Sequence, residues 1–542
     1  MLTISSPKYV RKITGTGDAA KDTALLQDAA TDTDVVEIQL DGRFIINDFI
    51  DMGAPDVSIT GNASQGKSLI GLPSSIIEIG FENPNAGQIA AASDTSTGLI
   101  NWKSGQATRL GTLDPATGNL GSENITYGGG NPLGLAAGEI VHIVSTNTES
   151  QVPDPTNAKL VNLRRVSHNN KIVGGLDEDF STGTVGIWHV EPWSNVTIAG
   201  LTFSNPNGYR FHCMHFGHTG GGDPAVGAIP NYWGGIRDSV VQDCRALNGV
   251  RGSLMGIANC QDVLFKNLQT VGDGTLDAYE YYGIVITSGD KNLVFDGCSI
   301  HDKRHPFTTT GIVGCEDILI KNGFFSTAGT AGLDTHSQGK RVVFDSCNIN
   351  VQQDFDIPAF QAARVAFQIR NRDSVIRNCH VRSNGISVQA SECLIENNII
   401  ENTTGTGIAI TNGTGTQDIQ NTVIQNNLIR NCGSNGFGMD ADFDGAGTIV
   451  RGNHFDSCVM DVSLGGNLIY CAIQDSVNYM HNSFRASPAN DLQGIRFMDE
   501  GAGGASGHYI AFNSFDSNGT NVVVDAAVTG SPEYDASNVT FN

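Results

Sequence analysis

Two short segments carry the residue types that acid–base chemistry requires. HDKRHPFTTTG contains Arg304 and His305, and LDTHSQGK, one repeat later, contains Asp334 and His336. A histidine can exchange a proton near neutral pH, a carboxylate can orient it, and an arginine can stabilise a developing negative charge. The structural alternative is that Asp334 and His336 form a surface hydrogen-bonded pair while Arg304 braces a turn.

Two aromatic-rich segments hold further candidates. GDGTLDAYEYYG contains Asp277, Glu280 and Tyr282, which combine carboxylates for proton transfer with rings that could stack on a ligand. A turn with solvated acids is the alternative for this segment. GIWHVEPWSN contains Trp188, which could stack on a ligand or fill a core.

An internal repeat determines how these segments are placed. Apolar residues, two polar residues and a corner Cys, Asn or small residue recur in copies such as LVFDGCSI, SVIRNCHV and TVIQNNLI. From Cys244 to Asn513 the period averages about 27 residues, with short alternating strands and no helical pattern. The pattern predicts an all-β chain folded as a right-handed parallel β-helix, a solenoid in which the corner Cys and Asn residues stack inside.

Stacked coils bring residues of successive repeats about 4.8 Å apart. Counting back from the central apolar position of each repeat aligns His336 with Gln368 of the next coil, and places Asp334 and His336 outward. Thr310 belongs to the coil before, and Arg364 and Gln368 to the coil after. We therefore expect a single polar patch in which these three residues contact a ligand.

The N-terminal segment GDAAKDTALLQDAA predicts a helix over residues 18–30, with Asp18 as its N-cap. Packed on the first coil, this helix would cap the open edge of the solenoid. The predicted regions are an N-terminal cap and attachment segment (1–60), early coils with long insertions (61–190), the main parallel β-helix (191–520) and a short C-terminal tail (521–542).

Composition excludes several classes of partner. The net charge of −24 argues against binding to nucleic acid or to an anionic membrane surface. No apolar run approaches the roughly 20 residues of a membrane-spanning helix. The opening MLTISSPKYVRK has no apolar signal core, and the 11 cysteines lack paired zinc-type spacing. We expect the cysteines to be buried free thiols, with no metal and no cofactor bound.

Basic residues are concentrated near the candidate residues. Residues 303–382 contain ten of the 32 lysines and arginines. A local cationic strip on an acidic protein would suit an acidic polymer. The alternative is that the charges simply alternate along the faces of the solenoid.

The motifs resemble those of phage tailspike and appendage proteins of the pectate-lyase-like superfamily. GDAAKDTALLQDAA is similar to the helix that begins many such spikes, although Ala19 replaces a glycine, and SNVTIAGLTF resembles a common coil. The Arg304–His305 and Asp334–His336 segments are similar to a pairing found in phage appendage β-helices. The resemblance implies a homotrimeric, virion-attached protein that contacts other tail proteins and binds or degrades cell-surface polysaccharide.

The resemblance leaves the reaction open. A glycan hydrolase would use two carboxylates, Asp334 with Glu280 or Asp277. A uronate lyase would use Arg304 as the cation, His305 or His336 as the base, and Tyr282 as the acid, with Asp334 orienting His336. A non-catalytic receptor-binding or structural appendage and a free extracellular polysaccharide lyase are the other possibilities.

Overall fold

The structure is a computed structural model of the chain. It describes residues 8–53, 66–80, 98–148, 159–167, 171–205, 212–219, 225, 232–247, 253–270, 282–311, 313–327, 331–351, 365–411, 418–439, 445–458, 467–471, 477–485, 493–497, 508–516, 522–524, 533–534 and 539–541. The chain divides into two compact units. The first comprises 1–149, 156–303 and 307–318, and the second comprises 150–155, 304–306 and 319–542.

The N-terminal helix spans Ala19–Thr31, and its N-cap is Asp18, whose side chain accepts a hydrogen bond from the Lys21 amide. The prediction of a helix capped by Asp18 is therefore confirmed. Buried Asp22 anchors the segment before the helix by accepting hydrogen bonds from the Thr16 and Gly17 amides at 2.7 and 3.0 Å. The helix packs on the first strands of its unit.

A buried lysine closes the other end of this helix. The Lys67 ammonium donates to the carbonyls of Ala29, Ala30 and Asp32 at 2.7–3.1 Å. These carbonyls have no partner within the helix, so the lysine supplies hydrogen bonds that the helix end lacks. Burial lowers the pKa of Lys67 to about 8, although the nearby negative charge of Asp32 opposes this shift.

In the first unit, three rows of parallel strands form successive coils. The first row contains Tyr9–Thr14, Val35–Asp41, Ser68–Gly71, Trp193–Ser194, Thr197–Ala199, Ile236–Gln242, Gln261–Lys266 and Lys291–Asp296. The second row contains Arg43–Ile46, Ile76–Ile79, Thr202–Ser204, Arg245–Ala246, Gln269–Thr270 and Ser299–Lys303. The third row contains Ile50–Asp51, Gly98–Trp102, His212–Phe216, Met255–Ala258 and Tyr282–Ser288. Two further strands, His305–Thr309 and Cys315–Lys321, contain residues of both units.

An inserted antiparallel sheet interrupts these coils within the segment predicted as 61–190. Its strands are Thr108–Thr112, Ile140–Thr148, Lys159–Arg165 and Val185–Val190. The insertion also contains a short 3-10 helix, Pro115–Thr117, and an antiparallel strand pair, Thr126–Tyr127 and Asn131–Pro132. Later in the chain, His218–Thr219 and Tyr232–Trp233 form a second short antiparallel pair. Buried Glu316 connects the sheet to the coils. Its carboxylate accepts a hydrogen bond from Arg164 of the inserted sheet at 3.0 Å and one from Lys291 of the first row at 2.9 Å.

The second unit repeats the three-row arrangement with shorter strands. The first row contains Gly339–Asp345, Val375–Arg377, Leu394–Glu396, Val423–Gln425, Ile449–Arg451, Asn478–Met480, Tyr509–Ala511 and Glu533–Tyr534. The second row contains Phe324–Thr327, Asn348–Val351, His380–Arg382, Ile399–Glu401, Leu428–Arg430, His454–Asp456, Ser483–Arg485, Ser514–Asp516 and Val539–Phe541. The third row contains Ala331–Asp334, Val365–Ile369, Ile386–Val388, Ile408–Ile410, Phe437–Met439, Asn467–Cys471, Gln493–Phe497 and Val522–Val524.

The described corners between the first and second rows of the second unit follow one rule. A residue with positive φ turns the chain, and the next residue points into the core, as in Asn426 (φ 56°) followed by Asn427. The interior amides form a ladder, with Asn427 donating to Asn453 at 2.9 Å and Asn453 donating to Asn482 at 3.1 Å. The predicted stack inside the solenoid is therefore confirmed for asparagine.

The cysteines that the structure describes with their side chains are free and buried, as predicted. Several occupy the same inner corner as the asparagines, and the Cys347 amide donates to the sulfur of Cys379 at 3.4 Å. Burial raises the pKa of Cys244 to about 12, which keeps this thiol protonated.

Replacing Asn453 by alanine should lower the free energy of unfolding by about 2–4 kcal/mol. The Ile424 carbonyl and the Asn427 amide both depend on the Asn453 side chain, at 2.9 and 3.0 Å, and would remain buried without a partner. Urea unfolding followed by circular dichroism measures the loss. Asn453→Cys installs a residue that the same corner uses elsewhere and should cost less, so equal losses would contradict the role of the ladder.

Candidate functional site

The strand Ala331–Asp334 ends in a carboxylate enclosed by cations. Asp334 is only 1% exposed, and Nη2 of Arg370 donates to both of its oxygens at 2.8 Å. Nε of Arg370 also donates to the Thr335 carbonyl at 3.0 Å, and the Arg370 amide donates to the Thr335 hydroxyl at 2.9 Å. Arg370 therefore fixes both the carboxylate and the turn that follows it.

His336 lies at the outer side of this carboxylate. Its Nε2 is 3.2 Å from Oδ2 of Asp334, and its side chain is 36% exposed, against 1% for the carboxyl. When Nε2–H donates to Asp334, the lone pair of the neutral imidazole is on Nδ1. The geometry is that of a surface histidine oriented by a buried carboxylate.

The surroundings keep Asp334 ionised. Burial alone would raise its pKa, but the hydrogen bond from His336 and the nearby His305 and Arg370 outweigh burial, so the pKa lies well below its usual value. A carboxyl group that stays charged cannot donate a proton near neutral pH. Asp334 is therefore suited to orienting His336 and unsuited to acting as a general acid.

His305 belongs to the same unit and is buried. Its Nδ1 is 2.7 Å from the Ala331 carbonyl, which fixes the proton on that nitrogen. Burial lowers the pKa of His305 to about 4, with Asp334 opposing this shift and Arg304 adding to it. The Arg304 backbone carbonyl accepts a hydrogen bond from the Thr327 hydroxyl at 2.8 Å.

The structure corrects two of the sequence-based placements. Asp334 was expected to point outward into solvent, yet it is buried, because Arg370 and His336 cover it. Gln368 was aligned with His336, but the strands pair Asp334 with Gln368. The alignment assumed turns of constant length, whereas the turn after Val365–Ile369 is two residues shorter than the turn after Ala331–Asp334.

That register error concealed Arg370. Arg370 is one of the ten basic residues in 303–382, and the sequence pattern alone predicts no role for it at the site. With Asp334 opposite Gln368, Arg370 follows directly after the paired strand, and it donates hydrogen bonds to Asp334 and Thr335. The sequence therefore contains the arginine, but its position beside Asp334 can be predicted only when the length of the turn is known.

The remaining predicted residues are described separately. Thr310 and Tyr282 belong to the first unit, where the Thr310 amide donates to the Ile286 carbonyl at 2.7 Å. Trp188 is 2% exposed and packs edge-to-face on Tyr232, with ring centroids 5.3 Å apart, so it fills a core and cannot stack on a sugar. Glu280, Asp277 and Arg364 lie outside the described residues.

The expected cationic strip is largely neutralised. Arg377 pairs with Asp345 at 2.8 Å, and Arg382 contacts Glu401 at 3.2 Å. Lys340 is 5% exposed and presents little charge to solvent. These observations favour the alternative of alternating charge along the faces of the coils. Within the described residues, no group of three His, Cys, Asp or Glu side chains could hold a metal ion.

Residues 256–417 and 365–541, which together span more than half of the chain, match the family described as a right handed beta helix region. The chain belongs to the right-handed β-helix family. The predicted fold class is thereby confirmed, including its handedness. No helix among the described residues of this β-helix protein is long and apolar enough to span a membrane.

Two solved phage tailspikes share the fold of this β-helix protein. Tailspike gp61 of Pseudomonas phage phi297 matches with a TM-score of 0.57 and 14% identity, over 93% of this chain and 76% of that one. Tailspike gp49 of Pseudomonas phage LKA1 matches with a TM-score of 0.53 and 15% identity, over 92% and 76%. At these identities the likeness establishes a common fold.

A curated relative matches a shorter part of the β-helix protein. The capsule K1-specific depolymerase of Klebsiella phage K64-1 is 25% identical over 182 residues. The match covers 33% of this chain and 18% of that relative, so this chain spans less than a fifth of its length.

The buried His305 of the β-helix protein should make its stability fall on mild acidification. The unfolded imidazole binds a proton below its ordinary pKa of 6.5, whereas the folded one does so only below about 4. As the pH falls from about 6.5 to about 4, unfolding should become easier by about 3 kcal/mol.

The matched variant His305→Asn keeps a donor for the Ala331 carbonyl but cannot titrate. Urea unfolding at several pH values should therefore show a flatter dependence in this variant. An identical pH dependence in the two proteins would rule out His305 as the cause.

Proposed function

We propose that this chain is a phage tailspike that binds a bacterial surface polysaccharide and cleaves it at the Asp334–His336 pair. The shared fold of two tailspikes and the partial match to a capsule depolymerase support this assignment. The observation that carries it is the partly exposed His336, 3.2 Å from a buried carboxylate that also accepts hydrogen bonds from Arg370 on both oxygens.

The chemistry that this arrangement supports best is eliminative cleavage at an acidic sugar. His336 accepts the proton next to the sugar carboxylate, a C=C bond forms, and the C–O bond to the neighbouring sugar breaks with its electron pair on the departing oxygen. Asp334 stabilises the imidazolium that results, as an orienting carboxylate does in other histidine bases. Arg370, whose side chain is 23% exposed, and the predicted Arg304 supply positive charge for the enolate.

Hydrolysis would require a second carboxyl group as the proton donor. Asp334 is poorly suited to donation, because its pKa lies below the usual range. The carboxyl groups of Glu280 and Asp277 are the predicted sources of such a donor. The products of the reaction therefore discriminate between the two mechanisms.

The setting of this activity belongs to the same proposal. The chain would be part of the virion tail, assembled as a homotrimer, joined to other tail proteins and acting at the host cell surface. Tailspikes are the structures whose fold it shares. Light scattering of the purified protein tests the trimer, and a monomeric mass would contradict that part.

His336→Gln should reduce the rate of polysaccharide cleavage by at least about 100-fold, the usual effect of removing a general base. The matched control is His380→Gln, because His380 also contacts a carboxylate, Glu401, at 2.7 Å in the same unit. Release of reducing ends from purified capsular polysaccharides measures the rate. Equal activity in both variants would remove His336 from the mechanism.

Product analysis tests the reaction class. Elimination should give new reducing ends together with the ultraviolet absorbance of an unsaturated uronate, since each cleavage leaves a C=C bond conjugated to a carboxylate. Reducing ends without that absorbance would show hydrolysis and overturn the assignment of His336 as the base of an elimination. Binding without any product would instead indicate a non-catalytic receptor-binding appendage.

A further inference from the structure

The first row of the second unit carries a line of aliphatic side chains on its outer surface. Alternate residues of its strands point into the core, as Phe344, Ile376 and Ile395 do with 0% exposure. The residue before each of these points outward, is partly exposed, and pairs with its counterpart on the next coil. At the spacing of adjacent strands, five such side chains extend over about 19 Å. These residues, which we call the aliphatic stripe, are Val343, Val375, Leu394, Val423 and Ile449.

The second row does not show this pattern on the same five coils. Its corresponding outward residues are Asn348, His380, Ile399, Leu428 and His454, so aliphatic side chains adjoin on two coils only. Single aliphatic residues at a protein surface are common, but a contiguous row is typical of a contact surface. The first row is therefore the outer surface better suited to burial against a partner.

The charged groups beside the aliphatic stripe are already paired. On the neighbouring outward positions Arg377 contacts Asp345 at 2.8 Å. The Gln425 amide donates to Glu396 at 2.8 Å and accepts from Arg451 at 2.9 Å. Two carboxylates and two guanidinium groups therefore cancel along this flank, and a partner would cover no uncompensated charge.

This local neutrality favours a second copy of the chain as the partner. Two copies that each carry a net charge of −24 repel one another, except where a face is neutral. The aliphatic stripe also has the period of the coils, about 4.8 Å. A copy whose coils lie at the same level presents the same side chains at the same spacing, so the two stripes match along their length.

A polysaccharide fits the aliphatic stripe less well. Sugars are recognised by aromatic rings and by hydrogen-bonding groups. The side chains of valine, leucine and isoleucine offer neither. The polar groups on the flank are engaged with one another, as the Gln425 bridge between Glu396 and Arg451 shows.

We propose that copies of this chain assemble by packing the aliphatic stripe of one copy against the stripes of the others, with their coils level. In a three-fold arrangement the stripes meet at the axis. Asp334 and His336 lie at the end of the third row, so assembly through the first row leaves them accessible. The inference rests on the homotrimer of the proposed function and names the surface that forms it.

The first test compares two lysine variants on one coil by light scattering. Leu394→Lys places one ammonium group from each copy at the contact, where like charges without solvent oppose association. Its dissociation constant should rise at least about 100-fold, and the mass should fall from that of three chains to that of one. The matched control is Ile399→Lys, which adds the same charge to the second row and should leave the mass unchanged. Circular dichroism checks that both variants fold.

The second test uses cysteine cross-linking and needs no disruptive change. Val423→Cys places a thiol in the aliphatic stripe, and Leu428→Cys places one in the second row of the same coil. With copper phenanthroline as the oxidant, two thiols of neighbouring copies lose two electrons and two protons and form a disulfide. Val423→Cys should give a cross-linked dimer on a non-reducing gel, and Leu428→Cys should not.

The outcomes separate this inference from the rest of the proposed function. A wild-type mass in Leu394→Lys, or equal dissociation of both lysine variants, would overturn the aliphatic stripe and leave the homotrimer standing. A monomeric wild-type protein would overturn the homotrimer and the stripe together, while polysaccharide cleavage by the same preparation tests the catalytic part. Should Leu394→Lys fail to fold, the cysteine variants decide, because no cross-link from Val423→Cys, or equal cross-links from both, would overturn the stripe.

Discussion

The hydrogen bonds inside the corner between the first and second rows are the interaction on which the second unit depends. A left-handed turn directs backbone groups inward, where water cannot reach them. Each asparagine of the ladder links the preceding coil to the next. The Asn427 side chain donates to the Ile395 carbonyl of the preceding coil at 2.9 Å, and the Asn427 backbone amide donates to the Asn453 side chain of the next coil at 3.0 Å. Because every coil must supply such a residue in register, this corner is nearly invariant in length.

The candidate site lies at a corner where no such ladder fixes the length. The turn after Ala331–Asp334 is two residues longer than the turn on the following coil, and this difference places Arg370 against Asp334. A carboxylate buried at a strand end would be unfavourable alone, but Arg370 and His336 supply its hydrogen bonds. The rigid corner thus holds the coils in register, while the variable corner positions the residues of the candidate site.

The sequence predicts the fold well because its strands and inner corners repeat. Alternating apolar residues and a Cys or Asn at each corner are local signals, and the N-cap Asp18 is equally local. The site was harder to predict because it depends on turn length, which periodicity does not encode. Trp188 shows a second limit: its residue type fits stacking on a sugar or on Tyr232, and only packing decides between them.

Charge on the second-row face restricts how a polymer can be recognised there. Across adjacent strands Arg382, Glu401 and Arg430 stand side by side, and the hydrogen bond from Arg430 is the main reason that the pKa of Glu401 falls to about 2. Both arginines are thus engaged by one carboxylate, so this face offers no continuous positive field to an anionic chain. Under the proposed function, recognition of the polymer would then depend on individual groups, so the local geometry around His336 would matter more than the overall distribution of lysine and arginine.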